Sequence, residues 1–228
     1  MRGRNPVRKQ ELGDGQSLWI QEVFYTLQGE GPFTGHPSVF VRTAGCNLRC
    51  FWCDTDFESS TWRPTLAQLL ERIEALRPAH CDLVVLTGGE PLRQNVGPLV
   101  RTLLSRGLRV QIETSGSLWV DLPSDPRLTI VCSPKTPRLD PRLAARADAF
   151  KYVITAGGSD TKDGLPNVST QARGRSARLY RPPPGRPIYV SPCDEPGRLD
   201  ANIRAATQIA LEHGYRLTLQ THKLVGIP

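Results

Sequence analysis

Three cysteines stand close together in the chain and could bind one metal centre. Cys46, Cys50 and Cys53 have the spacing C-x3-C-x2-C. A structural zinc site normally uses four protein ligands, whereas a cubane iron-sulfur cluster held by three cysteines leaves one iron open to another ligand. The spacing therefore favours an iron-sulfur cluster with an open iron. A zinc site with a distant fourth ligand and three unligated core thiols are the alternatives.

Polar residues follow four successive strand-like runs further along the chain. They are Gly88-Gly89-Glu90, Glu113-Thr114-Ser115, Ser133-Pro134-Lys135 and Ser191-Pro192. One polar strand end is usually only a turn. In a parallel β/α barrel, however, the carboxyl ends of the strands share one face, and that face holds the active site. Four such ends after a three-cysteine loop therefore predict a single site.

The elements that must position these residues alternate between strands and helices. Runs rich in β-branched and aromatic residues predict strands over 19–27, 38–43, 82–87, 108–114, 128–133, 150–155, 187–191 and 216–220. Apolar residues at helical spacing predict helices over 66–76, 96–104 and 203–213. This order indicates an α/β fold with a parallel sheet. A complete eightfold barrel takes about 250 residues, so we expect a partial TIM-like barrel in one domain, residues 1–228.

Composition limits the class of protein further. The chain has 228 residues and 39% apolar content, which is enough to bury a core. It contains no apolar run near the roughly 20 residues that cross a bilayer, and its start lacks the apolar core of a signal peptide. Six cysteines in a chain of this size suit a reducing compartment better than a disulfide framework. We therefore expect a cytoplasmic protein that does not bind a membrane.

The net charge of +7 is concentrated in two segments. Residues 1–9 carry four basic residues and no acid, and residues 157–187 carry six basic residues against two acids. The remaining chain is close to neutral. We interpret residues 1–15 as a solvated basic tail and 157–187 as a long loop rich in proline and glycine. Neither segment interleaves aromatic residues for base stacking, so we expect no nucleic-acid binding.

The cysteine spacing and the Gly88-Gly89-Glu90 motif together resemble the radical S-adenosylmethionine superfamily. The resemblance implies a 4Fe-4S cluster on the three cysteines, S-adenosyl-L-methionine as cofactor, and an electron donor such as flavodoxin or ferredoxin. In that superfamily the GGE motif binds the amino group of the cofactor. The residues implied for cofactor binding are Trp52, Cys53, Asp54, Gly88, Gly89, Glu90, Glu113, Ser115, Ser133, Pro134, Lys135, Ser191, Pro192, Cys193 and Asp194.

Within the superfamily, the chain is similar to the 7-carboxy-7-deazaguanine synthases. The matching segments are residues 24–32, Arg42, residues 53–55 and residues 221–223 followed by a terminal proline. This resemblance implies radical-mediated ring contraction of 6-carboxy-5,6,7,8-tetrahydropterin to 7-carboxy-7-deazaguanine with loss of ammonia, in queuosine and 7-deazapurine biosynthesis. It also implies a homodimer. The residues implied for substrate binding are Leu27, Gln28, Gly29, Glu30, Arg42, Thr87, His222 and Pro228.

Two of the implied roles have a simple chemical basis. The free carboxylate of Pro228 can accept two parallel hydrogen bonds from the amidine-like edge of a pterin. The resemblance makes Thr55 a magnesium ligand, and magnesium prefers oxygen ligands and keeps several waters. Without the resemblance, a hydroxyl at this position is more often a turn cap.

Other parts of the sequence leave alternatives open. Cys81, Cys132 and Cys193 form no short motif, so we expect buried thiols and no second cluster. No protein acid-base pair is required, because the cofactor radical starts the reaction. Glycyl-radical-enzyme activases share the cysteine spacing and the GGE motif but act on a protein backbone. A non-enzymatic metal-binding module is the other alternative, although it would leave the ordered strand-end motifs without a purpose.

Overall fold

The chain folds around one open eight-stranded sheet. The structure is a computed structural model that describes residues 5–53 and 55–227. The strands are adjacent in chain order, β1 to β8. The first two pair antiparallel, and every later neighbour pairs parallel. In the described part of the chain the sheet does not close, so the expected partial barrel is confirmed.

The bounds of the elements are as follows. The strands are β1 (Ile20–Leu27), β2 (Pro37–Thr43), β3 (Leu83–Gly88), β4 (Arg109–Thr114), β5 (Leu128–Cys132), β6 (Ala149–Ile154), β7 (Ile188–Pro192) and β8 (Arg216–Leu217). The helices are α1 (Leu66–Leu76), α2 (Gly97–Ser105), α3 (Pro141–Arg146), α4 (Leu199–His213) and α5 (Thr221–Val225). Short 3-10 turns cover Gly31–Phe33 and Pro91–Arg93. No helix of the described chain is both long and apolar enough to span a bilayer.

Local sequence explains why the elements begin and pack where they do. Thr65 starts α1 with a capping box, in which its hydroxyl and the Gln68 side chain bond each other's backbone amides. The helix then buries Leu69, Leu70 and Ile73 against the core. Strand β3 begins with four apolar residues and its first five residues are buried, as expected for a strand covered on both faces. These layers hold the strand ends in fixed positions.

Three sequence predictions about the elements need correction. The sheet is not fully parallel, because β1 is a hairpin partner of β2. Strand β8 has two residues instead of the predicted five. After it, the amide of Thr221 bonds the carbonyl of Gly29, and the chain turns into α5. Helix α4 begins at Leu199, before the predicted start at 203.

The two basic segments are folded onto the domain where the structure describes them. Residues 1–4 of the predicted tail lie outside the described residues. The amide of Arg8 donates to the carbonyl of Cys46 at 2.8 Å, and that of Glu11 to Arg93 at 2.7 Å. In the 157–187 segment, Asp163 accepts from Arg181 at 2.6 Å. The described part of the tail is therefore not the solvated chain that its composition predicts, and the 157–187 loop is held by an ion pair of its own.

Candidate active site

One cavity of about 620 Å³ lies at the carboxyl ends of the parallel strands. Residues from both ends of the chain meet there, at the edge of the sheet where the site is expected. The predicted site residues in its lining are Leu27, Gln28, Glu30, Arg42, Cys46, Cys50, Trp52, Cys53, Thr55, Thr87, Gly88, Gly89, Glu113, Ser115, Ser133, Lys135, Ser191, Pro192, Cys193, Asp194 and His222.

Three of the predicted site residues that the structure describes are not in this lining. Gly29, Glu90 and Pro134 lie outside it. A Cβ atom on Gly29 would lie 2.0 Å from Nδ1 of His222, so this glycine allows the histidine to approach the backbone. Pro134 lines a smaller neighbouring cavity. Asp54 and Pro228 lie outside the described residues.

The three cysteines of the motif line the same cavity, and none of them is in a disulfide. Cys46 is buried, and burial raises its thiol pKa to about 12, while Cys50 and Cys53 are half-buried. Across residues 5–53 and 55–227, no three His, Cys, Asp or Glu side chains converge on one point as single-ion ligands. In a cubane cluster each cysteine binds a different iron, so its thiols need not converge. Three thiols around one cavity therefore fit a cluster.

The cysteine loop, residues 45–53, is held by the 157–187 segment. The amide of Phe51 donates to the carbonyl of Thr170 at 3.0 Å. The amide of Arg49 donates to Oε1 of Gln171 at 2.8 Å, and Nε2 of Gln171 donates to the sulfur of Cys50 at 3.2 Å. Sequence gives no signal for these contacts, because more than 100 residues of chain separate the partners.

Glycines bring the end of β3 against the start of the cysteine loop. A Cβ atom on Gly89 would lie 2.3 Å from the carbonyl oxygen of Gly45. Gly45 itself has a φ of 78° and packs on the buried guanidinium of Arg93. The amide of Glu90 donates to the Gly45 carbonyl at 3.0 Å. The GGE motif therefore positions the first cysteine through backbone contact.

Glu90 is buried behind the cavity wall, and both of its carboxylate oxygens are used there. Oε1 accepts from the Leu92 amide at 3.1 Å and the Thr114 hydroxyl at 2.6 Å. Oε2 accepts from the amide and hydroxyl of Ser115 at 2.8 and 2.6 Å. Burial raises the pKa of this carboxyl, and these hydrogen bonds oppose the shift. The carboxylate thus fixes the end of β4 from outside the cavity lining.

Lys135 reaches the cavity from the end of β5. Its Nζ donates to the hydroxyl of Ser133 at 2.6 Å and lies 5.0 Å from the ring centre of Trp52. Burial lowers the pKa of this ammonium, and the neighbouring Cys50 opposes that shift. Its position provides a cation beside the cysteine loop.

A second carboxylate, Glu113, also lines the cavity. Its Oε1 accepts from the side-chain amides of Gln28 and Gln111, both at 3.0 Å. Its Oε2 accepts from the hydroxyl of Thr87 at 3.2 Å. These donors hold the Glu113 carboxylate in one orientation and leave it an acceptor for N–H groups of a bound molecule.

Glu30 forms a buried ion pair with Lys151 on β6. Burial by itself raises the pKa of Glu30, but Lys151, His222 and a 3.3 Å bond from Ser191 together hold it below its usual value. Lys151 is not among the residues predicted from the sequence, although a lysine within the apolar run Ala-Phe-Lys-Tyr-Val-Ile was a usable signal. Lys151 and Val153 both line the cavity, as the two-residue period of a strand dictates.

Arg42 at the end of β2 lies at the cavity edge. Its Nε donates to Glu22 at 2.6 Å, and its guanidinium lies 5.6 Å from the ring centre of Phe24. The pair is partly exposed, so a competing carboxylate could exchange with Glu22 at small cost.

Comparisons with known proteins agree with this geometry. A model of the radical SAM superfamily matches residues 40–130. A 7-carboxy-7-deazaguanine synthase of Rhodospirillum rubrum is 66% identical over the whole of both chains. One from Rickettsia prowazekii is 38% identical over all of this chain and 96% of its own.

The fold has a relative among solved structures. The crystal structure of QueE from Escherichia coli matches with a TM-score of 0.66 and 25% identity. The match covers 89% of this chain and 93% of that one. The cysteine loop, the strand-end cavity and these full-length similarities lead to one assignment. The chain belongs to the 7-carboxy-7-deazaguanine synthase family of the radical SAM superfamily.

Proposed function

We propose that this protein is a 7-carboxy-7-deazaguanine synthase, a radical SAM lyase that forms its product from a small pterin, 6-carboxy-5,6,7,8-tetrahydropterin. One observation carries the proposal. The three-cysteine loop, the polar ends of β3, β4, β5 and β7, and the Leu27-Gln28 segment all line a single cavity. Family membership over the full chain supports the same reaction.

The cluster and S-adenosyl-L-methionine would share the part of the cavity beside the cysteine loop. Cys46, Cys50 and Cys53 would hold the cluster. The backbone of Gly88 and Gly89 allows close approach of a cofactor ammonium, and Ser133 and Lys135 suit its carboxylate and ribose. When bound, these two cofactors supply the radical that starts the reaction. The remaining predicted contacts, including Asp54, stay proposals.

The pterin would occupy the part of the cavity around Glu113. The Glu113 carboxylate, held by Gln28 and Thr87, is an acceptor suited to the N–H edge of the ring. Arg42 at the cavity edge and the largely buried Lys151 in the cavity wall are cations that suit the carboxylate of the substrate. His222, which also lines the cavity, would complete the enclosure. The protein orients the substrate and excludes water, and no protein acid-base pair is needed.

We also propose magnesium at Thr55, which lines the cavity two residues after the last cysteine. One threonine oxygen plus substrate and waters is a sufficient ligand set for magnesium. Thr55→Ala should raise the magnesium concentration needed for half-maximal turnover, whereas the exposed control Thr61→Ala should not. Identical magnesium titrations for the two variants would remove this ligand.

A homodimer is the assembly that we propose, in a cytoplasmic protein with one domain. The edge strand β8 and its neighbours carry exposed apolar side chains: Leu211, Leu217, Leu224 and Val225. Exposed edges and apolar patches are usual places for association. Light scattering should give twice the chain mass, and Leu211→Asp should shift it toward the monomer.

The reaction is tested anaerobically with reconstituted protein, a chemical reductant, S-adenosyl-L-methionine, magnesium and 6-carboxytetrahydropterin. We expect 7-carboxy-7-deazaguanine by mass spectrometry, and no product from Cys50→Ala. Formation of 5'-deoxyadenosine alone would retain a radical enzyme and point to another substrate, such as a protein backbone. If the protein held no iron and formed neither product, that result would favour a metal-binding module.

A further inference from the structure

A fully buried glutamine lies one layer below the cavity, inside the sheet. Gln111 on β4 is 0% exposed and is not part of the cavity lining. It precedes Glu113 by two residues, so both side chains project from the same face of the strand. Its neighbours in the sheet are Val85 on β3 and Thr129 on β5. Pairing on both sides therefore fixes the backbone from which Gln111 reaches Glu113.

The side-chain amide of Gln111 has a defined orientation. Its Nε2 donates to Oε1 of Glu113 at 3.0 Å, and a carboxylate only accepts, so the NH2 group must face it. The oxygen of the amide is then buried, and no residue within 5–53 or 55–227 donates to it. An apolar side chain of the same length would avoid this unpaired acceptor. The use of a glutamine at this position therefore lies in its N–H group.

Gln111 also completes the set of donors around Glu113. Each carboxylate oxygen has two acceptor sites. Gln28 and Gln111 occupy both sites of Oε1, each with its Nε2 at 3.0 Å. The hydroxyl of Thr87 occupies one site of Oε2 at 3.2 Å. The described residues therefore leave one acceptor site on this carboxylate, and it belongs to Oε2.

We propose that Gln111 is a positioning residue for the substrate, acting through Glu113. By filling the second acceptor site of Oε1, it limits Glu113 to one acceptor direction, through Oε2, for an N–H group of the pterin. This inference rests on the proposed function, which puts the pterin around Glu113. A carboxylate that is oriented before the ligand arrives loses less conformational entropy on binding. Gln111 should therefore strengthen pterin binding without touching the pterin.

The two other donors to Glu113 offer a less direct test, because both line the cavity. Gln28 belongs to the segment after β1, and its Oε1 accepts from the amide of Glu30 at 3.0 Å. Replacing Gln28 or Thr87 would change the surface of the cavity together with the support of Glu113. Gln111 lies outside the lining, so its replacement changes only the support.

The test measures ligand binding to the reconstituted holoenzyme by anaerobic isothermal titration calorimetry. The pterin probe is 6-carboxypterin, the aromatic form of the substrate, which has no hydrogen at C6 to lose. Gln111→Met keeps the length of the side chain and removes the donor, and Gln111→Leu repeats the test with a second apolar residue. The control is Gln10→Met, because Gln10 is half-buried and its Nε2 donates to two backbone carbonyls outside the cavity lining, both at 2.9 Å.

We expect the Kd of 6-carboxypterin to rise about three- to tenfold in Gln111→Met, the usual effect of one lost hydrogen bond. The Kd of S-adenosyl-L-methionine should stay at the wild-type value. Turnover of the tetrahydropterin should show a higher KM at an unchanged kcat, because only binding of the substrate is weakened. Gln10→Met should leave both Kd values unchanged.

A double-mutant cycle with Glu113→Ala tests whether Gln111 acts through the carboxylate. Once the Glu113 side chain is removed, adding Gln111→Met should have no further effect on the pterin Kd. The inference fails if the two changes weaken binding independently, if Gln111→Met binds 6-carboxypterin like the wild type, or if it weakens S-adenosyl-L-methionine binding instead. Failure of the proposed function looks different: the wild type itself would not bind 6-carboxypterin, and this inference would be overturned with it.

Discussion

The side-chain amide of Gln171 donates a hydrogen bond to the sulfur of Cys50 at 3.2 Å. The orientation of this amide follows from its other contacts. Its Oε1 accepts from the backbone amide of Arg49, which can only donate, so the NH2 group must face the sulfur. The second N–H of that group reaches the hydroxyl of Thr170 at 2.7 Å. A residue of the long loop thus supports a proposed cluster ligand.

Removing this hydrogen-bond donor should change the reduction potential of the cluster. Hydrogen bonds to cluster sulfurs favour the reduced, more negative state, so Gln171→Met should lower the reduction potential. We expect about a three- to tenfold drop in the ratio of reduced to oxidised cluster at a fixed potential, from the usual strength of such bonds. A redox titration followed by electron paramagnetic resonance measures it. The exposed control Gln208→Met on α4 should leave the titration unchanged, and equal curves for both variants would contradict the assigned role.

Close packing at the GGE motif gives a second prediction. Gly89→Ala would place a Cβ atom 2.3 Å from the Gly45 carbonyl, so the cysteine loop must move. We expect incomplete iron incorporation on reconstitution and a loss of about 1–3 kcal/mol in the free energy of unfolding. Gly13→Ala is the matched control, because a Cβ atom there has no neighbour within 4 Å. Full iron content in Gly89→Ala would show that the loop tolerates displacement.

The buried Glu90 carboxylate gives a third prediction. Each of its oxygens accepts a hydrogen bond from a backbone amide. In Glu90→Gln the side-chain NH2 group would therefore face one of these two backbone N–H groups, and neither could accept. An unmet buried donor costs about 1–3 kcal/mol, and urea denaturation should record that loss in stability. The exposed change Glu71→Gln on α1 should stay within about 0.5 kcal/mol of the wild type. If Glu90→Gln left the free energy of unfolding unchanged, the end of β4 would be held by other contacts.

The Glu30–Lys151 pair predicts a pH dependence. The pKa of Glu30 is lower in the folded chain than its ordinary value, so the pair stabilises the fold above about pH 4.3. That contribution is lost as the pH falls through the lower folded pKa. Lys151→Met leaves a buried carboxylate without its ammonium, and we expect a cost of about 3–5 kcal/mol near pH 7.

The cost of Lys151→Met should shrink in acid, because a protonated Glu30 no longer needs a cation. Denaturation midpoints at pH 7 and near pH 4 measure the difference. Arg142→Met is the control, since Arg142 is exposed in its ion pair with Asp140 and its loss should change stability little at either pH. A penalty for Lys151→Met that does not change with pH would argue for lost packing instead of lost charge.

The sequence by itself determined the features that depend on local pattern. The spacing of Cys46, Cys50 and Cys53 needs no fold to be recognised. The strands β2 to β7 could also be recognised locally, from the length and pattern of their apolar runs. The position of the site followed from one rule, that parallel strands present their carboxyl ends at the same edge.

Tertiary structure decided which side chains meet across long stretches of chain. Glu90 belongs to a motif that predicts cofactor binding, yet its carboxylate bonds Thr114 and Ser115 behind the cavity wall. The composition of the 157–187 segment predicts a long loop but not its contact with the cysteine loop, where Gln171 bonds Cys50. Such contacts join residues with no shared local pattern. They form only when burial of the core brings the strand ends together, because packing of the whole sheet sets their distance.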